Sequence, residues 1–91
     1  MLRFVWDRTK ADANLRKHGV AFDEAATAFG DPLSLTIPDA EHSVAEERWL
    51  LLGESVAGRL VVVAHTERGD EIRLISARPA TRRERETYEE A

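Results

Sequence analysis

The 91-residue chain contains no cysteine. Disulfides and thiolate metal sites are therefore excluded, and the composition fits a reducing compartment. Long apolar runs are missing too. The longest, Leu60 to Ala64, is strand-sized, against the roughly 20 residues that a membrane-spanning helix needs. The N-terminal stretch has no signal-peptide pattern, because Arg3, Asp7, Arg8 and Lys10 interrupt it early. A cytoplasmic protein without membrane association is expected. There is no glycine-rich phosphate loop and no nucleophilic serine elbow. The histidines, His18, His42 and His65, are spaced too widely for a short ligand motif, so neither metal nor cofactor is expected.

What is present is a small globular composition. With 43% apolar and 33% charged residues, one domain over residues 1–91 is expected, with a modest core. The net charge of −4 argues against a nucleic-acid partner, but its distribution is uneven. Residues 1–20 carry a net +3, residues 21–57 a net −7, and residues 58–91 balance. Arg73, Arg78, Arg82, Arg83 and Arg85 cluster in that last segment. A basic side and an acidic side are expected.

Turn and cap residues divide the chain into elements. Residues 3–6 read as a strand. Asp7 is a helix N-cap, and a helix from Arg8 to His18 closes on Gly19. Ala11, Leu15 and His18 share its inner face, beside a polar stripe of Lys10, Asn14 and Lys17. A shorter helix fits Asp23 to Phe29, capped by Asp23 and ended by Gly30-Asp31-Pro32. Leu33–Ile37 reads as a strand, and Pro38–Ala45 as a polar loop holding His42. Three strands follow, Glu47–Gly53, Arg59–Thr66 and Glu71–Ala77, joined by short glycine-containing links. Thr81 and Glu84 form a capping box for a last helix from Arg82 to about Glu90.

A two-residue Arg68-Gly69 turn would set Thr66 opposite Glu71 and Ala64 opposite Arg73. One sheet face would then hold Leu50, Leu52, Val61, Val63, Ile72 and Leu74. The other would hold Trp49, Leu51, Leu60, Val62 and Ile75. The N-terminal helices can cover one face. The last helix is mostly charged and a poor cover for the other, so a protein partner is expected there.

The sequence FVWD (4–7), Lys10, Asn14 and KHGV (17–20) resembles the opening of the BrnT family of toxins. FDEA (22–25), FGDP (29–32), EERW (46–49), VVVAHTERG (61–69) and IRLISARPATRRERETYEE (72–90) continue the resemblance in order over nearly the whole chain. Pro79 departs from it, standing where a basic residue is common. The resemblance implies an α+β, RelE-like fold: a short N-terminal strand and two helices packed on an antiparallel sheet, with a C-terminal helix. It implies a ribonuclease toxin and a BrnA-like antitoxin with a ribbon-helix-helix part. It also implies hetero-oligomeric complexes that reach operator DNA only through the antitoxin.

Metal-independent RNA cleavage uses the ribose 2′-hydroxyl as nucleophile. The protein must stabilise charge on the phosphate and move two protons. Arg73 and Arg78 suit the phosphate, although Arg73 also fits an ion pair with Glu71 or Glu47, and Arg78 an acidic partner that fixes the last helix. His65, on a central strand and near Arg48 in the register above, is the acid–base candidate, or else a half-buried structural histidine. Lys10, Lys17, Arg48 and Arg82 suit outer RNA contacts, although solvated surface explains the lysines and Arg82 equally well. His18 suits the end of its helix, and His42 a hydrogen bond within its loop. A rival reading of the same chain is a non-catalytic module that binds a DNA-binding partner as co-repressor.

Overall fold

The computed structural model describes residues 1–91. Its elements run β1 (Arg3–Val5), α1 (Arg8–His18), α2 (Phe22–Thr27), β2 (Leu35–Pro38), β3 (Trp49–Glu54), β4 (Leu60–Arg68), β5 (Glu71–Pro79) and α3 (Arg82–Glu90). Single 3-10 turns stand at Ala28–Gly30 and Ala40–His42. No helix is long and apolar enough to cross a membrane.

Helix α1 begins and ends where its caps place it. The Asp7 carboxylate accepts the Thr9 N–H at 2.9 Å, and Gly19 turns out of the helix at φ 71°. Its inner face differs from the expected one. Leu15 is half exposed, whereas Asn14 is buried. The reason is an unpaired strand edge. Beyond Arg73, β5 has no strand on its outer side. The Asn14 side-chain amide takes that place, donating to Ala77 O at 2.8 Å and accepting from Ala77 N at 3.0 Å. The same amide donates to Val20 O at 2.9 Å. One polar side chain thus satisfies a strand edge and the turn after its own helix.

Helix α2 starts at Phe22 without a side-chain cap, so Asp23 is not the N-cap. Burial of Phe22 fixes that start, and the last turn tightens to 3-10 over Ala28–Gly30. Ala25 and Ala28 face the core, while Ala26 and Phe29 pack at its margin.

The sheet order is β1-β5-β4-β3-β2. Strands β3 to β5 form the expected antiparallel meander, and β2 extends it by pairing antiparallel with β3. Strand β1 joins β5 in parallel, pairing Phe4 with Ile72, so the sheet is mixed. No hairpin links these two strands, so turn chemistry could not set their direction.

Both hairpin registers differ from the expected ones. The β4–β5 turn is Gly69-Asp70, with Arg68 opposite Glu71 and Thr66 opposite Arg73. An irregularity between Ala64 and His65 then sets Ala64 opposite Ser76. In the other hairpin Leu51 pairs with Val63 and Leu52 with Val62. A one-residue slip exchanges faces. Leu51 therefore lies with Val61, Val63, Ile72 and Leu74 beneath the helices, and Leu50 and Leu52 lie on the opposite face.

The core cluster adds Val20, Phe22, Ala25, Ala28 and Ala77 to those sheet residues. Gly53 belongs to the same packing, since a Cβ there would come within 2.9 Å of Ala28 O. The second face is not left open. Leu60, Val62, Ala64 and Thr66 are buried by this chain alone. Helix α3 lies over part of that face, where Glu84 and Thr87 share a groove with Leu35, Leu50, Leu52 and Val62. The exposed apolar residues nearby are Leu33 and Ile37, beside or on the edge strand β2. Little apolar sheet surface is therefore left for a partner beyond this edge.

Candidate active site

On the face turned away from α2, the ends of β4 and β5 place Thr66 and Arg73 directly opposite each other. Arg48 immediately precedes β3, and Lys10 reaches the same place from α1. Together with Glu41, His42, Val44, Ala45, Glu46 and Ile75 they line a cleft of about 440 Å³. Three cations from three parts of the chain meet here. None of the three takes part in any of the chain's ion pairs. Arg73 and Lys10 are exposed, and Arg48 is half-buried. An anion entering the cleft would find cationic donors not committed to ion pairs, with the carboxylates of Glu41 and Glu46 at the same lining.

The wall between β2 and β3 is a tied loop. Asp39 N–H donates to Arg48 O at 2.8 Å, and Ser43 Oγ donates to Asp39 O at 2.8 Å. Arg48 N–H returns to Ser43 Oγ at 2.9 Å. Within this closed loop the His42 ring turns Nδ1 to both Asp39 carboxylate oxygens, at 3.0 and 3.1 Å. The His42 side chain is 59% exposed and that of Asp39 only 13%. Glu46 is held at the rim by Arg68 at 3.1 Å.

Of the residues assigned to RNA chemistry from the sequence, Lys10, Arg48 and Arg73 converge, and Arg78, Arg82, Lys17 and His65 do not. Arg78 lies roughly 16 Å further along β5, at about 3.3 Å per residue. Its guanidinium grips Glu84 through two bonds of 2.8 and 2.9 Å. Arg78 holds the Glu84 carboxyl down at about 2, helped by the Thr81 backbone, and Glu84 in turn raises the Arg78 guanidinium. The geometry is that of a helix anchor. Arg82 is almost fully exposed beside Glu86. Lys17 is exposed on α1, outside the cleft.

His65 is wholly buried. It stands between Trp49 and Leu74 in the sheet rather than beside Arg48. Its ring meets Phe29 edge-on at 4.8 Å, and its nitrogens pair with Val63 O at 3.1 Å and Glu67 Oε2 at 3.0 Å. The register slip explains the difference. It sets Trp49 rather than Arg48 opposite His65, so that Arg48 faces the cleft while His65 stays with Val61 and Val63 beneath the helices.

The loop hydrogen bond expected of His42 is present, and the Asp39-x-x-His42 spacing is its visible signal. No local signal shows that the loop folds over the cationic end of the sheet. No three His, Asp or Glu side chains gather as a cation site.

Residues 6–84 match the family model described as ribonuclease toxin, BrnT, of type II toxin–antitoxin system. No curated protein sequence matches the chain. Among solved structures, the chain is similar to the ribonuclease toxin BrnT of Brucella abortus, with 22% identity and a TM-score of 0.69. That alignment covers 90% of this chain and 100% of the Brucella chain. At this identity the likeness establishes a shared fold.

Proposed function

Because the chain belongs to the BrnT family of ribonuclease toxins of type II toxin–antitoxin systems, we propose that its RNA-cutting site is the cleft of Lys10, Arg48 and Arg73. The observation that carries this reading is the convergence of three cations, none of them ion-paired, on one concave surface. A phosphodiester there would be held by charge-assisted bonds that strengthen as negative charge builds on its oxygens. Arg73 projects from the sheet floor and is assigned the scissile phosphate. Arg48 and Lys10 hold the flanking backbone. The chemistry is 2′-hydroxyl attack without metal, and the setting is the cytoplasm.

The antitoxin that the family requires is proposed to be BrnA-like, with a ribbon-helix-helix part that makes any operator contact. It would block the cleft by placing acidic groups against the same three cations. It would also find apolar footing at Leu33 and Ile37 along the edge of β2.

The test uses the purified chain and single-stranded RNA in excess chelator, with and without ribosomes. Cleavage should persist in chelator. Arg73→Ala should reduce it by about 10²-fold, the scale of removing one transition-state donor, with unchanged circular dichroism. Full activity in that variant would remove the cleft from consideration. Loss of wild-type activity on chelation would overturn metal independence.

A further inference from the structure

We propose that His42 is the general acid of this cleft, protonating the departing 5′-oxygen, and that Asp39 is its positioning residue; the proposal rests on the ribonuclease reading above. Four observations lead to it. His42 lines the same cleft as the three free cations. It is the only histidine that does so, because His65 is sealed in the core and His18 ends α1 elsewhere. Its Nδ1 is engaged by a carboxylate that is itself largely shielded, so Nε2 is the nitrogen left to exchange a proton. The loop that carries it is closed on itself by the Asp39, Ser43 and Arg48 bonds, which limits the positions the ring can take.

The division of labour follows from the groups present. The charged groups around the cleft are Asp39, Glu41 and Glu46 on the loop, Arg48 before β3, Lys10 on α1, Arg73 on β5 and, paired with Glu46 at the rim, Arg68 on β4. A carboxylate that is ionised near neutral pH can take a proton but has none to give. An imidazole exchanges protons in that range. In the balanced step the ribose 2′-oxygen bonds to phosphorus and its proton passes to Glu41 or Glu46. The bond from phosphorus to the 5′-oxygen breaks, and that oxygen takes the proton from His42 Nε2. The products are a 2′,3′-cyclic phosphate and a 5′-hydroxyl end.

The experiment compares two RNA substrates of one sequence. One carries the natural 5′-oxygen at the cleaved bond, and the other a bridging 5′-sulfur that leaves as a thiolate and needs no proton. His42→Gln should slow cleavage of the oxygen substrate by about 10²-fold or more and stay within a few-fold of wild type on the sulfur substrate. Asp39→Asn should show the same pattern more weakly, in kcat rather than KM. Arg73→Ala should slow both substrates alike. Thermal melting of each variant separates these effects from misfolding, and the Asp39 variant carries the test if His42→Gln fails to fold. Wild-type speed on the oxygen substrate, or an equal loss on both, would overturn the role of His42 while leaving the cleft as the site. A wild-type protein inert on both substrates, with ribosomes present, would overturn the ribonuclease reading and this inference with it.

Discussion

At the scale of single residues, Asn14 shows how a polar side chain can be part of a core. Its amide closes three buried hydrogen bonds, two to Ala77 and one to Val20. Replacing it with Ala would leave an N–H and two carbonyls without partners inside the protein. Asn14→Ala should therefore cost about 3 kcal/mol, as orphaned buried groups each cost about 1–3 kcal/mol. Urea denaturation measures this, and wild-type stability in the variant would contradict the account. Asn14→Asp should be equally damaging, because a carboxylate cannot donate to the two carbonyls. In the sequence Asn14 sat in a stripe with Lys10 and Lys17, and hydrophobic spacing pointed to Leu15 instead. Periodicity reports apolar burial and is blind to a polar group recruited by a strand edge.

At the scale of elements, α3 was legible from Thr81 and Glu84, and both halves of the capping box are present. Its docking was not legible, because its composition is almost entirely charged. Two polar contacts hold it. Arg78 grips Glu84 at one end. At the other end the Tyr88 hydroxyl donates to Asp31, which pushes the phenol up to about 12. The Glu84 contact makes the helix sensitive to acid. The Glu84 carboxyl sits at about 2 in the folded chain, against an ordinary value of 4.5. A carboxyl lowered by folding stabilises above its unfolded value, and that contribution fades as pH falls toward the folded one. Between about pH 4.5 and pH 2 the anchor should weaken, by on the order of 1 kcal/mol once solvent screening of this partly exposed pair is allowed for. Urea titrations at pH 7 and pH 3 should show that loss, and Arg78→Ala should reduce the difference, leaving the share of Glu24, Asp31 and Glu71, whose carboxyls are also lowered. An undiminished pH dependence in that variant would assign the effect to other carboxylates.

At the scale of the whole molecule, the net charge gives a false picture and the charge map a useful one. Residues 21–57 are strongly acidic, yet Arg48 within them turns into the cleft beside Lys10 and Arg73. If those three cations meet three phosphates of single-stranded RNA, log K should fall with log salt with a slope of about −2. Arg73→Ala should flatten that slope by about 0.7, and Lys17→Ala or Arg82→Ala should leave it nearly unchanged. Binding titrations at several salt concentrations measure this directly. A slope that responds to Lys17 or Arg82 and not to Arg73 would move the RNA path off the cleft.

The sequence alone determined the order of elements, because caps, turn glycines and strand composition act locally and are written in neighbouring residues. The helix from Asp7 to Gly19, the last helix after Thr81 and the three-strand meander of β3 to β5 all follow from such signals. The family was legible as well, from ordered motifs such as KHGV and ISARPAT, and residues 6–84 match its model. Tertiary structure decided register, the direction of β1 and which residues line the candidate cleft. A one-residue choice at a hairpin exchanges faces along a whole strand, and no local signal fixed it. That choice sets Trp49 rather than Arg48 opposite His65 and leaves Arg48 on the face of the cleft. Lys10, His42, Arg48 and Arg73 are distant in sequence and become neighbours only when a loop, a helix and the sheet close together. Arg78 stands at its predicted strand end, but the fold gives it Glu84 as a partner.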